Sequence, residues 1–74
     1  MKLPVISGKE FVKRLEKIGF RFEKQEGSHM ILRLTRSPFT KLSVPNHKEI
    51  SKGLLHRLLH DADISVEQFI NLKK

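Results

Sequence analysis

The sequence has no cysteine, which excludes disulfides, thiolate nucleophiles and cysteine-based zinc sites together and is compatible with a reducing cytoplasm. It has no apolar run approaching the length of a membrane span. The opening Met1-Lys2-Leu3-Pro4 lacks the apolar stretch of a signal peptide. These absences set the expectation of a soluble cytoplasmic protein without a membrane segment. The chain is also short. Seventy-four residues suit a single domain over 1–74 with a modest core, too small to enclose a large cofactor. An active site in such a chain should be shallow, built on one face and free of cofactors.

Acidic residues are scarce: eight Asp and Glu stand against fifteen Lys and Arg, a formal charge of +7. An excess of that size favours a polyanionic partner. The cations run from Lys2 to Lys74 rather than massing in a tail, which points to a folded basic surface rather than a disordered arm.

Ser7-Gly8-Lys9-Glu10 reads as a helix start, with Ser7 as cap and Glu10 positioned to complete a capping box. Phe11, Leu15 and Ile18 recur at helical spacing, Val12 widens the stripe, and Gly19 is placed to end the helix in a left-handed conformation. Lys13, Glu16 and Lys17 fall on the opposite face. The period then changes to two. Phe20 and Phe22 alternate with Arg21 and Glu23, Glu26-Gly27-Ser28 supplies a turn, and Met30, Leu32 and Leu34 alternate from His29 onward. Lys41 to Val44 forms a third strand that Pro45 ends. A second helix beginning near Ser51 carries Leu54, Leu55, Leu58, Leu59 and Ala62 on one arc. Ser65-Val66-Glu67-Gln68 is a second capping-box pattern, opening a short last helix with Phe69 and Leu72.

The order is therefore helix, three strands, helix, short helix: an α+β fold whose three-stranded antiparallel sheet is covered by helices on one face. Strand parity directs Phe20, Phe22, Met30, Leu32, Leu34, Leu42 and Val44 at the helices. It directs Arg21, Glu23, Gln25, His29, Ile31, Arg33, Lys41 and Ser43 the other way, making a polar, net basic face free to meet a partner. In such a meander, His29 at the start of the second strand and His47 after the third share one edge. Both helix N-termini return to that edge, and two positive dipole ends beside two histidines suit a phosphate.

Several segments resemble one family. Leu3-Pro4-Val5-Ile6-Ser7-Gly8-Lys9-Glu10 followed by Leu15 to Phe20 looks like the opening of HicA, or YcfA-like, proteins. Gln25-Glu26-Gly27-Ser28-His29 resembles their Gly-Ser-His signature at a strand start. Val44-Pro45-Asn46-His47, Lys52-Gly53-Leu54-Leu55 and the ending Ile64 to Phe69 fit the later pattern, so the likeness spans nearly the whole chain. The second loop, Arg36 to Thr40, departs from it in being more apolar. The resemblance implies a fold similar to the double-stranded-RNA-binding domain, mRNA-cleaving toxin activity within a type II toxin–antitoxin system, and neutralisation by a HicB-type antitoxin. It maps the family histidine onto His29.

RNA carries its own nucleophile in the 2′-hydroxyl, and imidazole titrates near working pH. His29 is accordingly the candidate general base in a metal-independent cleavage, with the general acid open between Lys52, His47 and water. Candidate RNA contacts are Lys9, Gly27, Ser28, Arg33, His47, Lys52 and Gly53, with Gly27 allowing close approach of the backbone. Lys9, Lys13 and Lys17 form a ridge that could follow an RNA backbone or be a solvated helix face. Phe39 could stack on a base, anchor the antitoxin or cover the edge of the core. His56 and His60 have the i, i+4 spacing of zinc ligands, but no third ligand is evident, and a solvated pair is the expectation. Two other functions compete: a non-catalytic RNA-binding module of the same fold, and a basic interaction domain for an acidic protein. A monomer is the expected free state.

Overall fold

The computed structural model describes residues 3–73; Met1, Lys2 and Lys74, with the two ends of the cation distribution, lie outside the described residues. The element order is α1 (Gly8–Glu16), β1 (Phe20–Glu26), β2 (His29–Leu34), β3 (Lys41–Pro45), α2 (Lys52–Ala62) and α3 (Val66–Ile70), followed by a 3₁₀ turn at Asn71–Lys73. The strands form one antiparallel sheet in the order β1-β2-β3. This is the expected α+β arrangement with an added turn at its end.

Each helix starts where a serine satisfies an orphan amide. Ser7 accepts from the Glu10 amide at 3.1 Å, Ser51 from Leu54 at 3.3 Å and Ser65 from Gln68 at 3.0 Å. Only the third cap is reciprocal, with the Gln68 side chain accepting from the Ser65 amide at 2.7 Å. Glu10 turns instead toward Arg14, whose Nε lies 3.4 Å from its carboxylate. α1 ends at Glu16 with Lys17 as a right-handed C-cap, two residues before the expected Gly19, and the chain turns into β1 through Gly19 at φ 107°, a conformation that disfavours a side chain. The Gly19 carbonyl then accepts from both the amide and the hydroxyl of Thr35, at 3.0 and 2.9 Å.

The core lies between the sheet and the helices. Phe11, Val12 and Leu15 of α1, Leu55, Leu58 and Leu59 of α2 and Phe69 of α3 are buried. They form one cluster with Phe20, Met30, Leu32, Leu34, Leu42 and Val44 of the sheet. Phe22 opposes Leu32 and so shares the helix side. It is nevertheless 48% exposed, on a strand that forms the edge of the sheet.

The strand parity fails at one place. The β1–β2 register shifts between Phe22 and Lys24, so that Lys24 opposes Ile31, Gln25 opposes Met30 and Glu26 opposes His29. This bulge moves Gln25 off the open face, to the side of buried Met30, and brings Lys24 and Glu26 onto it. A bulge on an edge strand twists the exposed ladder away from stray pairing and re-aims the side chains beyond it.

Two ion pairs hold part of the charge on the open face, while Arg21 and Lys41 keep it net basic. Arg33 meets Glu23 through two contacts of 3.4 Å, and Lys24 meets Glu26 at 3.0 Å. Four charges are thereby neutralised within the sheet. At the centre of this face, Ile31 is only 2% exposed and stands outside the main core cluster.

Candidate active site

Gly27 and Ser28 form a two-residue connection between β1 and β2. Gly27 has φ 60°, while Ser28 is not in the left-handed region. A positive φ confined to the first loop residue is the pattern of a type II′ hairpin turn, which demands glycine there. A Cβ built on Gly27 would meet no atom within 4 Å. Backbone conformation is therefore what requires glycine within the fold, and the space above it is open.

The tight turn makes Glu26 and His29 directly opposed residues. Residues so paired hold their Cβ atoms about 4.5–5.5 Å apart on one face. His29 is exposed, and among the described residues no group holds its ring by a hydrogen bond. The imidazole is free to meet an incoming ligand.

Hydrogen bonds then gather the neighbouring segments. The Asn46 amide donates to the Ser28 carbonyl at 2.7 Å, the Gly8 amide to the His47 carbonyl at 2.9 Å, and the Ile50 amide to the Ile6 carbonyl at 2.8 Å. This places the β1–β2 turn, the loop after β3 and the starts of both α1 and α2 at one end of the molecule, as the connectivity argument requires. Gly8 fits closely there: a Cβ on it would collide with the Pro45 carbonyl oxygen.

The predicted residues separate into two groups. His29, Gly27, Ser28, His47, Lys9, Lys52 and Gly53 belong to this end and are exposed. Arg33 does not. It lies four residues along β2, about 13 Å away at the strand rise, and is engaged with Glu23 and the Phe39 carbonyl. The contribution of His47 to the fold is its carbonyl. Phe39 is 56% exposed at φ 57° in the β2–β3 loop, so it does not cover the core edge. His56 and His60 are exposed, and among the described residues no group of three or more His, Asp or Glu side chains converges as a metal site.

Sequence reasoning assigned Glu26 to the turn and did not place Lys24 at the site. The signal for Glu26 was present, since a two-residue loop forces its flanking residues into register. Lys24 depends on the bulge, which no local pattern marks. Its ammonium, by hydrogen bond first and by charge second, holds the Glu26 carboxyl below its ordinary 4.5. The same contacts raise Lys24 above 10.5. The edge beside His29 thus carries a fixed carboxylate with its own counterion.

Comparison with known families matches residues 8–64 to the family described as the HicA toxin of bacterial toxin–antitoxin systems. The chain belongs to the HicA toxin family. The match runs from the first residue of α1 to the segment after α2 and so includes the whole sheet, the Gly27-Ser28-His29 turn and the start of α2. Membership in a toxin–antitoxin family implies an antitoxin partner for this HicA chain. No curated protein matches it. Among the described residues no helix is long and apolar enough to cross a membrane.

Proposed function

We propose that this HicA-family chain is an endoribonuclease that cleaves mRNA without a metal and is neutralised by a HicB-type antitoxin. His29 acts as general base. It takes the proton of a 2′-hydroxyl, whose oxygen attacks the adjacent phosphorus; the P–O5′ bond breaks and the 5′-oxygen leaves with a proton from an acid. The products are a 2′,3′-cyclic phosphate and a 5′-hydroxyl. Imidazole suits this task because it titrates near neutral pH.

The observation that carries the reading is the setting of His29. Its ring is exposed and unheld beside an open glycine turn, at the end where both long helices begin. Helix starts present a positive dipole end to a phosphate, and Lys9 and Lys52 add charge there. The shallow, open form of the site also suits a polymer substrate. An antitoxin laid over this end would hide the base and displace RNA in one step.

The test is cleavage of a transcript by the purified chain in EDTA, with end-group analysis. Wild type should yield cyclic phosphate and 5′-hydroxyl ends, and His29→Ala should lose cleavage at an unchanged circular-dichroism spectrum. Cleavage retained by His29→Ala would overturn the assignment.

A further inference from the structure

Among the described residues, ion pairs hold two cations of the open face, leaving Arg21 and Lys41 without one, and none holds the lysines along α1. On the sheet, Arg33 and Lys24 are neutralised by Glu23 and Glu26. On α1 and at its C-cap, Lys9, Lys13 and Lys17 are exposed and have no carboxylate partner among the described residues. Lys17 contacts only the Leu72 carbonyl, at 3.1 Å, and keeps two further donors. The three recur every four residues, a step of about 6 Å along the helix axis, comparable with the separation of successive phosphates on an extended strand.

The ridge has a defined far end. Lys13, Lys17 and Arg21, with Glu16 as the one carboxylate, line a surface depression between α1 and β1. Arg21 is fixed there, its Nη1 donating to the Glu16 and Phe20 carbonyls at 3.2 and 3.0 Å. That leaves Nε and Nη2, the forked edge that matches a phosphate, unengaged among the described residues. The near end is Lys9, next to Gly8, whose amide bonds the loop beside His29.

We propose that the RNA strand flanking the cleaved phosphodiester runs along α1 from Lys9 through Lys13 and Lys17 to Arg21. This rests on the ribonuclease reading and adds the path of the substrate to it. Charge complementarity favours RNA as the occupant. An acidic protein would also need an apolar centre to its interface, and none of the exposed large apolar side chains, Val5, Phe22 and Phe39, is on α1.

The test measures binding of a short, labelled 2′-O-methyl RNA by fluorescence anisotropy over a range of salt. That probe lacks the nucleophile, so binding is read apart from cleavage. Lys9→Gln/Lys13→Gln keeps two good helix formers. It should flatten the slope of log affinity against log salt by about 1.4, at about 0.7 per phosphate contact for single strands. Lys41→Gln/Arg57→Gln removes the same charge from a different depression and should leave the slope unchanged. Equal effects of the two doubles would mean that affinity follows net charge, and would overturn the path. So would an unchanged slope in the ridge variant, or ridge variants that lose only antitoxin binding. A wild-type chain that binds RNA along this ridge but never cuts it would instead refute the ribonuclease reading alone.

Discussion

The amide of Gly8 donates to the carbonyl of His47 at 2.9 Å, and a Cβ on Gly8 would collide with the carbonyl oxygen of Pro45. The first turn of α1 is therefore seated on the backbone that leaves β3, with no room for a side chain between them. Gly8→Ala should force α1 outward. Overpacking of this kind costs about 1–3 kcal/mol, readable as a lower urea midpoint at an unchanged slope. Cleavage should fall by more than the loss of folded protein explains, because the same displacement moves Lys9 and loosens the loop beside His29. Gly53 provides the contrast. It lies in the first turn of α2 with open space around it, and Gly53→Ala should leave stability equal or slightly higher, since alanine is the better helix former.

At Gly27 the constraint is conformational. The residue holds φ 60° with nothing near its missing Cβ. Gly27→Ala meets no clash but must adopt a left-handed backbone, at about 1–2 kcal/mol. Gly27→Asn should recover part of that loss, because asparagine tolerates this region better. Gly27→Val should be worse than either. Thermal unfolding of the three variants should rank them Asn, Ala, Val. The reverse order would mean that the turn relaxes into another type.

Much of the fold was legible because local signals and periodicity agreed. The caps at Ser7 and Ser65 fall where pattern places them, the second helix starts after Ser51 as expected, and every apolar position assigned to the two long helices is buried or partly buried. The site was legible to the extent that connectivity brings β2, the loop after β3 and two helix starts to one end. What escaped reading depends on events without a local signature. The β1 bulge reverses the side of Gln25, Lys24 and Glu26, and only pairing with β2 reveals it. Which cations of the open face are paired depends on which charges meet across strands, as Arg33 and Glu23 do. Composition counts charges but does not pair them. Arg33 was therefore a reasonable candidate contact that the fold places away from His29.

Arg14 is the other residue the helical pattern left unassigned. It is only 8% exposed, with its guanidinium 4.9 Å above the ring of Phe69, which also packs against Phe11 at 5.5 Å between centroids. This stack fixes α3 to α1. Phe69→Ala should cost about 3–5 kcal/mol, as for other buried aromatics. Arg14→Lys keeps the charge but loses the planar group that stacks. A double-mutant cycle between the two positions should give a coupling of about 1 kcal/mol, measured by urea unfolding. No coupling would mean that Arg14 contributes only through its alkyl stem and Glu10.

The Lys24–Glu26 pair beside His29 predicts a pH response at both extremes. Glu26 titrates below 4.5 in the folded chain because Lys24 donates to it and stands close by. A carboxyl with a lowered folded pKa stabilises the fold above its unfolded pKa, and that stabilisation disappears as pH falls through the folded value. Lys24 is raised above 10.5 by the same partner, so its share is complete below 10.5 and is lost as pH rises through the raised value. Both groups are solvent-exposed, so the contribution is small and screened by salt. The sharper readout is the titration itself. Carboxyl chemical shifts should place Glu26 below the ordinary range in wild type, and Lys24→Gln should move it upward. High salt should shift wild type in the same direction but by less, because added ions screen the charge while leaving the 3.0 Å hydrogen bond in place. If Glu26 titrates identically in wild type and Lys24→Gln, the pair does not form in solution and the carboxylate beside His29 stands without its counterion.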